Sequence, residues 1–119
     1  ADPYYVNGNL TIVTADWNAT AGENIVVLVN GSLTINRKIN LSGTGFVAFI
    51  VNGDIIIDPT VGGLFSSSVP ALEGIYITSP AGTFHSGAST NVGTERFVGE
   101  GTFVAGNFAL ERDLDSVTY

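Results

Sequence analysis

Three closely similar heptads constrain this chain more than anything else in it. Val6-Asn7-Gly8-Asn9-Leu10-Thr11-Ile12 returns as Val29-Asn30-Gly31-Ser32-Leu33-Thr34-Ile35, then as Val51-Asn52-Gly53-Asp54-Ile55-Ile56-Ile57, at steps of 23 and 22 residues. Two weaker copies follow, Ala71-Leu72-Glu73-Gly74-Ile75-Tyr76-Ile77 and Val104-Ala105-Gly106-Asn107-Phe108-Ala109-Leu110. A Gly/Ser/Thr stretch at 79–94 separates these two and reads as a loop inserted in the last coil. A fixed period of this size is the signature of stacked repeats. Within each copy the apolar residues alternate with the strand period of two. Leu10, Leu33, Ile55, Ile75 and Phe108 form one expected inward column, and Ile12, Ile35, Ile57, Ile77 and Leu110 a second. Thr11, Thr34, Ile56, Tyr76 and Ala109, lying between them, are expected to face outward.

The stretches entering each Asn-Gly, 25–29, 46–51 and 103–105, are apolar too. Asn-Gly tolerates positive φ, so it can turn a corner between two strands. It is also the strongest short hairpin signal, which would give an antiparallel sandwich or jelly roll. Recurrence of the same columns nearly in register favours a coil marker over a hairpin. The expected fold is therefore all-β: a single domain over 1–119, built as a short β-solenoid (β-helix) of about four coils of 20–23 residues. Burying a Leu or Ile contributes roughly 1.5–3 kcal/mol, and only stacked neighbours can bury these columns. Helix is expected at most in short pieces at 15–21 and 110–114.

Composition narrows the function. Four Lys plus Arg against eleven Asp plus Glu give a net charge of −7. The cations are scattered apart from Arg37-Lys38, so the clustered positive charge that nucleic acid requires is missing. An acidic surface also disfavours anionic membranes, and no apolar run is long enough to insert into one. There is no Cys, which rules out thiol chemistry.

Few residues suggest chemistry. Asn9, Asn18, Asn30 and Asn40 each begin an Asn-x-Ser/Thr sequon, which would place N-linked glycans on an extracellular surface; Asn at turns beside solvent-facing Thr and Ser explains the pattern equally well. Asp54 and Glu73 fall on adjacent expected coils, close enough for the paired carboxylates of glycosidic cleavage. With Trp17, Tyr76 and Phe84 they would make the only set suited to a carbohydrate-binding or polysaccharide-cleaving β-helix. His85 is the only histidine; with no Cys or second His, a zinc site is not expected, and 83–87 reads as a loop or edge strand. Glu111, Asp113 and Asp115 could offer oxygens to calcium, although ion pairing with Arg112 or an end cap accounts for them better. No catalytic residue, cofactor or metal site is assigned.

The order of these motifs resembles a segment of uncharacterised extracellular β-helix surface proteins of candidate-phyla-radiation bacteria (Patescibacteria). The resemblance spans roughly residues 5–114, and Leu72-Glu73-Gly74-Ile75-Tyr76 and Arg112-Asp113-Leu114 are its most specific elements. It implies an extracellular or cell-surface solenoid without known catalytic residues. Those proteins generally continue past the Arg-Asp-Leu element, which implies that a chain ending at Tyr119 is a piece or a shorter relative. A looser likeness is to bactofilin-type polymer-forming solenoids, whose coils are shorter. The expected role is a non-enzymatic structural or adhesive surface module, associating end to end with itself or with neighbouring surface-protein segments. Tyr4, Tyr5 and Val6 at one end and Tyr119 at the other are the expected end contacts.

Overall fold

The computed structural model describes residues 3–64, 66–88 and 96–112. It is an all-β solenoid of about four turns whose strands all pair in parallel, with no helix among the described residues. Parallel neighbours need a long crossover, and here each crossover is one circuit of the coil. Short strands β2 (Leu10–Ile12), β5 (Leu33–Ile35), β8 (Ile55–Ile57), β10 (Thr83–His85) and β12 (Asn107–Ala109) stack into one sheet. Longer strands β1 (Tyr4–Asn7), β4 (Asn24–Asn30), β7 (Phe46–Val51), β9 (Leu72–Thr78) and β11 (Gly99–Val104) stack into another. Strands β3 (Trp17–Ala19) and β6 (Ile39–Leu41) begin a third side, which joins the long sheet where Ile39 pairs with Leu72.

The expected columns hold through three coils. Leu10 pairs with Leu33 and Leu33 with Ile55; Ile12 pairs with Ile35 and Ile35 with Ile57. Leu33, Ile35, Ile55 and Ile57 are completely buried. The corners are tied by side chains. Asn30 Nδ2 donates to Asn7 Oδ1 at 3.1 Å, and Asn52 Nδ2 to Asn30 Oδ1 at 3.1 Å. One residue past each Gly, a side-chain oxygen accepts the next rung's backbone N–H: Asn9 from Ser32 at 2.9 Å, Ser32 from Asp54 at 3.3 Å, Asp54 from Thr83 at 2.8 Å. Gly8 has φ 132, a conformation that favours Gly. Gly31 and Gly53 do not: each is Gly because a Cβ would sit 2.5 Å from the carbonyl oxygen of the corner beneath it.

The fourth copy departs from expectation. Segment 71–77 does not continue the Ile55 column; as β9 it stacks on β7, pairing Ile75 with Ala48 and Tyr76 with Phe49. Tyr76 therefore points inward and is fully buried. Its ring lies between Phe49 (centroids 5.6 Å apart) and Phe103 (5.3 Å), both stacked. Residues 58–64 and 66–70, which contain no strand, take up the side of the third coil that β6 fills in the second. The chain thus re-enters the stack one face later than the repeat implied. The column is continued instead by Phe84, which pairs with Ile55 and Phe108. Residues 83–85 thus form a strand inside the short sheet, not a loop, and His85 takes the outward place expected for Tyr76. The two expected helical pieces are absent as far as described: 15–21 contains β3, and 110–112 are not helical. Asp113 and Leu114 lie outside the described residues.

Candidate functional site

The acids and aromatics expected to form a carbohydrate site do not converge. Tyr76 and Phe84 are core side chains, and Trp17 packs its ring on Phe49 at 5.6 Å, so the three aromatics do not line one groove together. Glu73 has Glu100, not Asp54, as its neighbour in the stack. Its carboxylate accepts from Asn40 Nδ2 at 3.1 Å, while Asp54 holds the N–H of Thr83. Burial, reinforced by the charge of Glu73, pushes the Tyr76 phenol far above its ordinary range, and its hydroxyl donates to the Glu73 carbonyl at 2.6 Å. These acids and aromatics are fastened to the scaffold.

His85 stands between two carboxylates: Nδ1 is 2.8 Å from Glu111 Oε1 and Nε2 is 3.8 Å from Asp54 Oδ2. Ser86 does not address the imidazole; its buried hydroxyl accepts from the N–H of Glu111 at 2.7 Å. Among the described residues no group of three or more His, Cys, Asp and Glu is arranged to hold a metal ion. Beside His85, Arg112 forms a latch that sequence reasoning missed. Its Nε donates to the Ser86 carbonyl at 2.7 Å, and its Nη2 to those of Asp58 at 3.1 Å and Val61 at 3.0 Å. The guanidinium also lies 5.7 Å from the Phe97 ring centroid, within range for a cation–π contact. Asp58 opens the turn that presents two of these carbonyls. Its carboxyl is held below the usual aspartate range, first by the Thr60 hydroxyl, then by the Thr60 N–H, with smaller help from Arg112 and Arg37 against the cost of burial.

The first coil exposes the interior. Val6, Leu10, Trp17 and Ile25 are only partly buried. Their partners one rung in, Val29, Leu33, Ile39 and Val47, are 2, 0, 0 and 0% exposed. The columns are the same; only the covering rung differs. The uncovered rung leaves an apolar depression of about 430 Å³, with Tyr4, Val6, Leu10, Trp17 and Ile25 in its lining. Tyr4 and Tyr5, the expected end contacts, are 64 and 65% exposed beside it. Tyr119 lies outside the described residues. At the opposite end Val104 and Phe108 are half exposed.

A second surface escaped the sequence reading. Along the outside of the long sheet, Tyr5, Leu28, Ile50, Ile77 and Val104 form one register column. Val26, Ala48 and Ile75 form a parallel one. The signal was there: 25–29 and 46–51 are apolar at every position, the mark of a strand covered on both faces.

The four sequons differ in setting. Asn40 donates to the Pro70 carbonyl at 3.0 Å as well as to Glu73. Asn30 is committed to the corner ladder, and the side-chain oxygen of Asn9 to Ser32. Asn18 is exposed on β3, and its side chain makes no hydrogen bond among the described residues.

No helix among the described residues is long and apolar enough to cross a membrane. Comparison with family models, curated proteins and solved structures finds no match to this chain.

Proposed function

We propose that this chain is a non-enzymatic structural module that associates end to end through its first coil, the covering rung being the last coil of another copy. The uncovered apolar rung carries this reading. Leu10, Trp17 and Ile25 occupy columns that are fully buried one rung deeper, and a strand edge with apolar side chains is a template for further pairing. The far end offers matching groups: the edges of β11 and β12, with Phe108, which continues the Leu10 column, half exposed. Tyr4 shares its column with Val27, Phe49, Tyr76 and Phe103. A second copy stacked in register would therefore extend the ring stack by one aromatic. Such a head-to-tail contact is heterologous and does not close on itself, so it grows into a thread. The fixed roles of Asp54, Glu73 and Tyr76 in the scaffold support a module that acts through its shape.

Sedimentation velocity over rising protein concentration tests this. The wild type is expected to shift progressively to larger, elongated species. Leu10→Glu, which puts a charge in the open rung, is expected to form none of these elongated species, with an unchanged circular dichroism spectrum. A wild type that stays monodisperse at high concentration would overturn the proposal.

A further inference from the structure

We infer that the outer face of the long sheet is a second, lateral interface, and that its occupant is the same face of another copy related by a two-fold axis near Ile50. This goes beyond end-to-end association and rests on a different set of residues. The column Tyr5, Leu28, Ile50, Ile77, Val104 runs across all five strands, with Tyr5 65%, Ile50 43% and Val104 50% exposed. Solvent-facing positions of a sheet are normally polar, and a continuous apolar patch marks an interaction surface.

Three observations select a second copy. First, the outward positions of β4 and β7 carry no charge, and on β9 and β11 only Glu73 and Glu100, stacked on each other near the start of their strands, do. Two chains of net charge −7 can approach closely only through such a neutral area. Second, Ile50 is the middle rung of five, so rotation about an axis through it lays Leu28 against Ile77 of the other copy and Tyr5 against Val104. The face is therefore self-complementary in register, as an isologous contact requires. Third, the area suffices. Five strands about 4.8 Å apart and about 20 Å long give a face of about 480 Å². Pairing two buries about 1,000 Å², the lower bound for a specific interface. The dimer is thus reversible and concentration-dependent.

The chain lacks Cys, so one introduced thiol reports on one position. Packed sheets lie about 10 Å apart, within reach of a short bis-maleimide but too far for a disulfide. Full-length Ile50→Cys is expected to give a crosslinked dimer whose yield rises with concentration. Thr11→Cys, on the outside of the short sheet, is expected to give little. Adding Leu28→Lys and Ile77→Lys to Ile50→Cys is expected to lower the yield about tenfold, the size of effect that one to two kcal/mol of charge repulsion and desolvation produces. Both lysines sit at the surface, and circular dichroism checks that the fold is retained. Adding Leu10→Glu blocks the end contact and is expected to leave the Ile50→Cys dimer intact, so failure of one interface is distinguishable from failure of the other. If Ile50→Cys crosslinks no better than Thr11→Cys, or if the lysines leave its yield unchanged, the lateral interface is wrong.

Discussion

Replacing Tyr76 by Ala is expected to lower the unfolding free energy by about 3–5 kcal/mol, read as a large fall in the urea midpoint with little change in slope. The ring is completely buried and stacked on both sides, by Phe49 and Phe103. Truncation removes the middle of this aromatic stack and leaves a cavity that the rigid coils above and below cannot close. Tyr76→Phe keeps both stacking contacts and loses only the hydroxyl's bond to the Glu73 carbonyl, so about 1 kcal/mol is expected. The pair of variants discriminates between the two placements of 71–77. An outward Tyr76, as the repeat alone implies, would make either change nearly neutral, within about 0.5 kcal/mol.

The second large effect is expected at Arg112. Arg112→Ala should cost about 3 kcal/mol, because it removes charge-assisted bonds to the carbonyls of Ser86, Asp58 and Val61 and leaves part-buried acceptors unsatisfied. Those carbonyls belong to the third and fourth coils, so one side chain ties the strandless segment after β8 to the chain after β12. Loss of the latch should therefore be local. Hydrogen exchange is expected to quicken at Val61, Ser86 and Glu111, while amides in β4, β5 and β7 keep their protection. Arg112→Lys should recover less than half of the loss, since a single ammonium cannot reproduce the planar fork that spans three acceptors. Equal exchange rates in wild type and Arg112→Ala would show that the latch does not hold these segments.

Legibility in the sequence followed the contrast between inward and outward residues. In Leu10-Thr11-Ile12 and Leu33-Thr34-Ile35 a polar residue separates two apolar ones, so the alternation identifies the buried face unaided. In Ile75-Tyr76-Ile77 all three are apolar. Period alone cannot orient them, and likeness to the earlier copies pointed the wrong way. What orients them is Phe49 below and Phe103 above, a long-range fact. Phe84 was hidden for the opposite reason: it stands alone among Gly, Ser and Thr, where a strand of three residues leaves almost no pattern. Asp54 was legible as a polar residue after the corner, but its task, holding the N–H of Thr83, depends on a rung 29 positions along. Arg112, flanked by acids in sequence, suggested a local ion pair; its reach to Asp58 and Val61 is set by the turn those two residues form after β8. Of the two surfaces, the open end takes in Tyr4 and Val6 from the expected end contacts, while Tyr5 lies on the outer face. The lateral face lay in view in 25–29 and 46–51, where both faces of each strand are apolar.

Continuation of the stack from one copy to the next can be measured by a disulfide. Outside the short sheet, Thr11, Thr34 and Ile56 stack in one register column, and His85 and Ala109 complete it. If the last coil of one copy covers the first coil of the next, Ala109 of one lies one rung from Thr11 of the other. Their Cα atoms are then about 5 Å apart, within disulfide range. The double variant Thr11→Cys, Ala109→Cys is expected to oxidise into a regular ladder of multimers that collapses to monomer on reduction. Each single variant should give no product beyond a dimer. A double variant that stays monomeric under the same oxidation, at concentrations where the wild type sediments as larger species, would contradict in-register end-to-end stacking.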